Sequence, residues 1–207
     1  IASLDDDFPL VRITRHEDAT DDGPLVMLVQ GLAKGEKMDS VIRHATELGV
    51  AAFMPLTCER SIVKLDAKKT RTRLDRWCSI AKSAAMQSGQ PRIPKVLEPR
   101  SAKEAAAELA EATAVLICWE EAPQTASLAQ AIGRGFSECS CPRGDARIAV
   151  VVGPEGGLTE REVGFFLDAN PRASLVSLGS SILRTETAGV VAPALTLYEL
   201  GKLGGTL

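Results

Sequence analysis

Short apolar runs alternate with longer stretches of helical periodicity along most of this chain, and that alternation limits what it can fold into. Leu25 to Gln30, Ala51 to Leu56, Ala114 to Cys118, Arg147 to Val152 and Leu175 to Leu178 read as strands. Glu36 to Leu48, Thr70 to Ser88, Ser101 to Glu111, Thr125 to Ile132, Thr159 to Ala169 and Thr185 to Leu200 read as helices. Apolar runs without polar alternation suit strands buried on both faces. Their succession with helices predicts an α/β domain with a largely parallel sheet. At 207 residues and 45% hydrophobic, the chain can supply the core this requires.

The boundaries have chemical reasons. Gly49 is a stop just past the first helix, while Gly89, Pro91 and Pro94 end and block the second long one. Ser101 with Glu104, and Thr159 with Glu162, spell capping boxes at helix starts. Gly133 to Asp145 reads as a polar loop. Residues 1–24 are acidic and turn-rich, with one β-like patch over Leu10 to Thr14, and are set apart from a main domain at residues 25–207. The chain opens on Ile1 as though mid-sequence, so a preceding segment is expected.

Several function classes are disfavoured. No apolar run approaches the ~18–20 residues of a membrane span, and no secretory signal opens the chain. The five cysteines include no C-x-x-C, Cys139-x-Cys141 stands without a second pair, and the only histidines are His16 and His44. No metal site is expected, and unpaired thiols fit a cytoplasmic protein. The G-x-x-x-x-G-K-[ST], G-x-G-x-x-G and G-x-S-x-G patterns are all absent, which disfavours kinase, dinucleotide and hydrolase readings.

The net charge of −3 hides an asymmetry. Cys58 to Lys103 holds 12 Lys and Arg against 4 Asp and Glu, whereas the rest of the chain holds 12 against 23. A basic face on an acidic protein suits phosphate contacts, although a solvated helix surface is the plainer alternative.

In an open α/β sheet, ligands bind at the carboxyl ends of strands. Three such ends are unusual here: Cys118-Trp119-Glu120-Glu121, Gly153-Pro154-Glu155-Gly156-Gly157, and Leu178-Gly179-Ser180-Ser181-Ile182-Leu183-Arg184. Glycines leave backbone amides uncovered, and Pro154 stiffens its loop. A tight turn would explain the glycines but not Glu155, and Glu162 is accounted for by its cap. Arg184 is a cation at a helix start, unfavourable by a few tenths to ~1 kcal/mol, partly offset by Glu186. A misplaced charge at such a junction marks a functional candidate.

Three segments together resemble a known family. "GPEGGLTEREV", "LGSSILRTETA" and "HATELGV" followed by "PLTCERS" are similar to the RsmE-type 16S ribosomal RNA (uracil-N3)-methyltransferases of the SPOUT superfamily. "WCSIAKSAAMQSGQPRIPKV" matches the segment where that family usually carries E-Q-S-x-R and then I/V-P. Met86 stands where Glu is usual, Gln90 where Arg is usual and His44 where Lys is common, with Arg92 available as a replacement cation. The resemblance covers about Leu25 to Lys202. It implies a C-terminal trefoil knot, which general topology rules would not suggest. It also implies a homodimer and a PUA-like N-terminal barrel, of which residues 1–24 would be the remnant.

The resemblance also implies S-adenosylmethionine as cofactor, held by Trp119, Gly153, Pro154, Glu155, Gly156, Gly157, Leu178, Gly179, Ile182 and Leu183. The implied partner is 16S rRNA in the small ribosomal subunit. Uracil N3 carries a proton and must lose it to become nucleophilic, so a site that stabilises the uracil anion is needed. Arg184 can do this through paired hydrogen bonds; an ion pair with Glu186 or Glu155 is its structural alternative. Glu186 or Glu155 could be the base or could position Arg184. Arg60, Lys64, Lys68, Lys69, Arg71, Arg73 and Arg92, with Gln87 and Ser88 at the helix end, are the RNA-binding candidates. A SPOUT enzyme acting on ribose 2′-oxygen or guanine, and a non-catalytic RNA-binding module, remain alternatives.

Overall fold

All five predicted strands of the main domain form, and every pairing among them is parallel. The computed structural model describes residues 3–5, 8–10, 12, 14–15, 23–123 and 126–204. In chain order its strands are β1 (Ser3–Asp5), β2 (Phe8–Leu10), β3 (Leu25–Gly31), β4 (Ala52–Thr57), β5 (Lys95–Val96), β6 (Arg100–Ser101), β7 (Ala114–Cys118), β8 (Arg147–Val152) and β9 (Ala173–Val176). The helices are α1 (Lys37–Leu48), α2 (Ala67–Ser88), α3 (Ala102–Glu108), α4 (Leu128–Glu138), α5 (Glu160–Ala169) and α6 (Thr185–Glu199). The main sheet runs β5-β4-β3-β8-β7-β9, with β6 also pairing with β4. β1 and β2 pair antiparallel; the β-like patch read over Leu10 to Thr14 lies partly outside the described residues.

The central strands are buried on both faces, as their uninterrupted apolar runs require. On one face Val26, Leu28, Leu116, Ile148 and Val150 pack under α1, α2, α4 and α6. On the other, Val29, Val115, Ile117, Ala149 and Val151 pack against α3 and α5. This gives three layers, with alternate residues of one strand feeding opposite cores. Trp77 is the largest fully buried side chain and seats α2 on this core. Its Nε1 donates to Asp39 Oδ1 at 3.1 Å, while Arg76 Nε donates to Asp39 Oδ2 at 2.8 Å, so one carboxylate in the first turn of α1 ties α1 to α2.

Several boundaries differ from the sequence reading, the larger shifts for local reasons. α2 starts at Ala67, earlier than Thr70, because the Asp66 side chain accepts from Lys69 N at 2.8 Å and caps it. α3 keeps its Ser101–Glu104 capping box but ends at Glu108, short of Glu111. Just beyond it, the carbonyls of Leu109 and Ala112 accept from buried Asn170 Nδ2, both at 2.9 Å. The same Asn170 accepts from Arg172 N and closes the turn into β9, which therefore begins at Ala173 rather than Leu175. Leu178 thus falls in a loop. α4 does not stop at Ile132; it runs from Leu128 to Glu138, straight through Gly133 and Gly135. Its expected start at Thr125 lies outside the described residues, and Ser127 caps the helix. Gly135 is there for close packing: a Cβ would come within 2.5 Å of the Thr113 carbonyl oxygen.

Candidate active site

The carboxyl ends of β3, β7, β8 and β9 lie side by side in the sheet, so the segments that follow them meet at one edge. There they line a cavity of about 570 Å³. β7 contributes Cys118 to Glu120, β8 contributes Gly153 to Glu155 and Gly157, and the stretch after β9 contributes Ser177 to Arg184. The start of α1 adds Lys37, and that of α6 adds Thr185. Every cofactor candidate from the sequence except Gly156 lines this space.

The floor is tied together by a short chain of hydrogen bonds. Buried Gln30 Nε2 donates to Thr185 Oγ1 at 2.8 Å, and Thr185 Oγ1 donates to the Gly153 carbonyl at 2.6 Å. The end of β3, the β8 loop and the start of α6 are thereby held in one arrangement. Gly157 sits at φ +71°, where a side chain is strained, and a Cβ there would also approach the Glu120 carboxylate. Glu162 serves as its capping box predicted, and its Oε1 also accepts from Glu59 N at 2.8 Å, pinning the loop before α2.

Glu155 and Glu186 share one cation, and it is not Arg184. Lys37 Nζ lies 3.1 Å from Glu155 Oε1 and 3.2 Å from Glu186 Oε2. Lys34 N also donates to Glu155 Oε1 at 3.0 Å. Partial burial pushes the Glu155 carboxyl up, but the Lys34 N–H and the Lys37 ammonium outweigh it and hold it below its ordinary value. Both carboxylates raise Lys37. Arg184 is exposed, lines the cavity, and makes no ion pair with the described residues. The ion pair weighed for it is therefore replaced by the Lys37 bridge, and its guanidinium is available to a ligand.

Lys37, Gln30 and Thr185 were missed by sequence reasoning. Lys37 had a readable signal: a cation at the first position of a helix is as misplaced as Arg184. Gln30 and Thr185 had none, since a buried glutamine in a strand and a threonine at a helix start each have ordinary roles.

The cavity also suits an organic cofactor with polar edges. Trp119 Nε1 is buried with no hydrogen-bond partner. Leu178 and Leu183 are half-buried apolar walls, and Ile182 stands 91% exposed. Cys118 is no nucleophile here, because burial pushes its thiol up to about 12. Among the described residues, no group of three or more His, Cys, Asp or Glu is placed to hold a metal ion, and no helix is long and apolar enough to cross a membrane.

The basic residues divide into two sets. Arg60 Nη1 donates to the Gly156 carbonyl at 3.3 Å, and Arg73 Nη1 donates to the Gly35 carbonyl at 3.4 Å, so both lie against loops that neighbour Glu155 and Lys37 in the chain. Lys64, Lys68, Lys69 and Arg71 are exposed around the start of α2, at the same edge. Gln87, Ser88 and Arg92 are not brought there. α2 has 22 residues, a length of roughly 33 Å at about 1.5 Å per residue, and it delivers them to the opposite sheet edge. Ser88 Oγ is spent on the Ala84 carbonyl at 2.7 Å.

The model of an RNA methyltransferase domain family matches residues 22–197. The chain belongs to this family. Within it, the chain is 36% identical over 182 residues to ribosomal RNA small subunit methyltransferase E of Bacillus subtilis, covering 87% of this chain and 68% of that protein. It is 34% identical to the Mycobacterium bovis protein of the same name, covering 87% of this chain and 66% of that one. The solved structure of ribosomal RNA small subunit methyltransferase E from Neisseria gonorrhoeae bound to S-adenosyl methionine is 34% identical, with a TM-score of 0.68 over 88% of this chain and 70% of that one. The chain thus spans about two thirds of the length of these relatives. The parallel α/β sheet is that of the RNA methyltransferases, and the family suggested by the "GPEGGLTEREV" and "LGSSILRTETA" segments is the one the comparisons return.

Proposed function

We propose that this chain is the catalytic part of an S-adenosylmethionine-dependent methyltransferase that modifies N3 of a uridine in 16S rRNA of the small ribosomal subunit. The observation that carries the reading is the cavity where the cofactor-type loops meet Arg184, which has no ion pair among the described residues, and the Glu155–Lys37–Glu186 bridge. Trp119, Gly153 to Gly157 and Leu178 to Leu183 would hold the cofactor, with open backbone amides for its polar edge and apolar side chains for its ring. When bound, S-adenosylmethionine supplies an electrophilic methyl group.

The protein's own work is to bind the uracil and make its N3 nucleophilic. Losing the N3 proton leaves negative charge on O2 and O4, and the Arg184 guanidinium can meet one of these oxygens with paired, charge-assisted hydrogen bonds, leaving the N3 lone pair free to attack. In this reading Glu186 takes the proton. Its buried Oε2 faces the Lys37 ammonium at 3.2 Å, while Oε1 has no hydrogen-bond partner among the described residues and keeps its lone pairs for a proton. Glu155, bonded to both Lys34 N and Lys37, is a poorer base and anchors the lysine. Fixing these groups on two helix starts and one loop lets positioning contribute to the rate.

Arg60, Lys64, Lys68, Lys69, Arg71 and Arg73 form the RNA tract of this reading, and the target base leaves any stack to enter the cavity. Residues 177–184 are read as the thread of a trefoil knot. Ser177 N donates to the Ala126 carbonyl at 3.0 Å on one side, and Thr185 bonds Gly153 on the other, which supports that path. A homodimer is supported by the outer face of α6, where Leu195 and Tyr198 are exposed at helical spacing. Residues 1–24 are read as the end of an N-terminal RNA-binding barrel, and the site of action as the cytoplasm.

The test supplies the protein and S-adenosylmethionine to small ribosomal subunits lacking the modification. Nucleoside mass spectrometry should then find N3-methyluridine. A methyl group on a ribose 2′-oxygen, on guanine, or on no nucleoside would overturn the reading.

A further inference from the structure

The Cys139-x-Cys141 pair is left unused by the methyl-transfer site. It lies at the opposite edge of the sheet, where both residues line a second cavity of about 650 Å³. Cys139 is the C-cap of α4, its N–H bonded to the Gly135 carbonyl, so its backbone is fixed by the helix. Cys141 Sγ lies 3.6 Å from Thr113 Oγ1, and Thr113 Oγ1 also accepts from Arg147 N at the start of β8. The C-cap of α4 and the Thr113 contact thus place the two thiols face to face. Their sulfurs are 2.7 Å apart, leaving roughly 0.7 Å to close to a bond of about 2.05 Å. Cys141 N also points at Cys139 Sγ, at 3.4 Å.

The other cysteines offer no comparable pair. Cys58 is buried, and Cys118 lines the methyl-transfer cavity with no second cysteine beside it. Cys78 is exposed but solitary.

We propose that Cys139 and Cys141 form a reversible redox dithiol that undergoes exchange with small disulfides such as glutathione disulfide, closing to an intramolecular C-x-C disulfide. Cys139 attacks first. The side-chain hydrogen bond it shares with Cys141, then the Cys141 backbone N–H, hold the Cys139 thiol below its ordinary value, and Arg172 adds to this. Attack of the Cys139 thiolate on glutathione disulfide forms a mixed disulfide and releases one glutathione. The Cys141 thiolate then attacks the Cys139 sulfur, forming the C-x-C bond and releasing the second glutathione. The protein loses two protons and two electrons; glutathione disulfide gains both and becomes two thiols.

The experiment incubates the full chain in mixtures of glutathione and glutathione disulfide, quenches with acid, alkylates the remaining thiols under denaturing conditions and reads the products by mass spectrometry. The expected main product has lost two hydrogens, carries Cys139 and Cys141 unalkylated in one linked peptide, and returns to the dithiol on adding reductant. Cys141→Ser should convert it to a lasting glutathione adduct at Cys139. Alkylation of both Cys139 and Cys141 while Cys78 alone carries glutathione would overturn the proposal. So would a disulfide joining either residue to another cysteine. The wild-type product pattern decides the matter even if the variant folds poorly.

Discussion

Lys37 Nζ lies 3.1 Å from Glu155 Oε1, joining the first turn of α1 to the loop that follows β8. The same ammonium reaches Glu186 at the start of α6, so three separate elements depend on one side chain. Lys37→Met leaves two carboxylates facing each other without their cation. Turnover is expected to fall by about 10²-fold, the scale for a misplaced catalytic group. The pH dependence of stability should change with it. Glu155 is lowered on folding, so its contribution is present above an unfolded carboxyl pKa of about 4.3 and lost as pH falls through the lower folded value. Lys37 is raised, so its contribution is present below about 10.4 and lost as pH rises through the higher folded value. The melting-temperature difference between wild type and Lys37→Met should hold across the neutral range and shrink at both extremes. A difference that ignores pH, or turnover equal to wild type, would remove Lys37 from the site.

That bridge also marks where the sequence stopped being informative. The five central strands, the capping boxes at Ser101 and Thr159, and the three ligand loops were legible because each rests on local patterning. The end of α3 and the start of β9 were not, because both are set by Asn170, a buried side chain that reaches the Leu109 and Ala112 carbonyls from about sixty residues away. α4 was cut short because Gly133 reads as a stop, while Gly135 in the same helix serves contact with Thr113. In the site, Arg184 was visible as a misplaced charge, but the partner of Glu155 was not, since pairing across 118 residues leaves no trace in spacing.

Arg184 is the one cation of the cavity wall that has no ion-pair partner among the described residues. Arg184→Ala should therefore lose little stability while removing the group that meets the developing uracil charge. Turnover is expected to drop by roughly 10²–10³-fold, as when one transition-state donor is removed. Cofactor affinity by calorimetry should persist, because the loops that hold it stay intact. Arg184→Lys should recover only part of the rate, since an ammonium cannot reproduce the planar pair of donors. Wild-type turnover in Arg184→Ala would refute the assignment.

Gly157 tests whether the cofactor loop depends on its backbone shape. Its φ of +71° is a left-handed conformation, and placing a side chain there costs about 1–2 kcal/mol. The Glu120 carboxylate can swing away from a new Cβ, so the backbone term should dominate. Gly157→Ala is expected to lower unfolding free energy by that order and to weaken S-adenosylmethionine binding more than Gly164→Ala, an α5 site with open space around it. Equal effects on binding from the two substitutions would mean the loop tolerates the change and its glycine has no special role.

The basic residues near the cavity make a different kind of prediction, because phosphate contacts are read through salt. Each lost contact should flatten the plot of log affinity against log salt by about 0.7–0.9. Neutralising Lys64, Lys68 and Arg71 together should therefore reduce the slope by roughly two to three for small-subunit RNA. Arg92 lies beside the second cavity at the opposite sheet edge. Arg92→Ala should leave the slope unchanged if the RNA follows the edge that carries Arg60 and Arg73. Filter-binding titrations across a salt series separate the cases. An equal loss of slope for Arg92→Ala would place RNA on both edges and reject the one-edge path. An unchanged slope for the triple variant would return the start of α2 to an ordinary solvated surface.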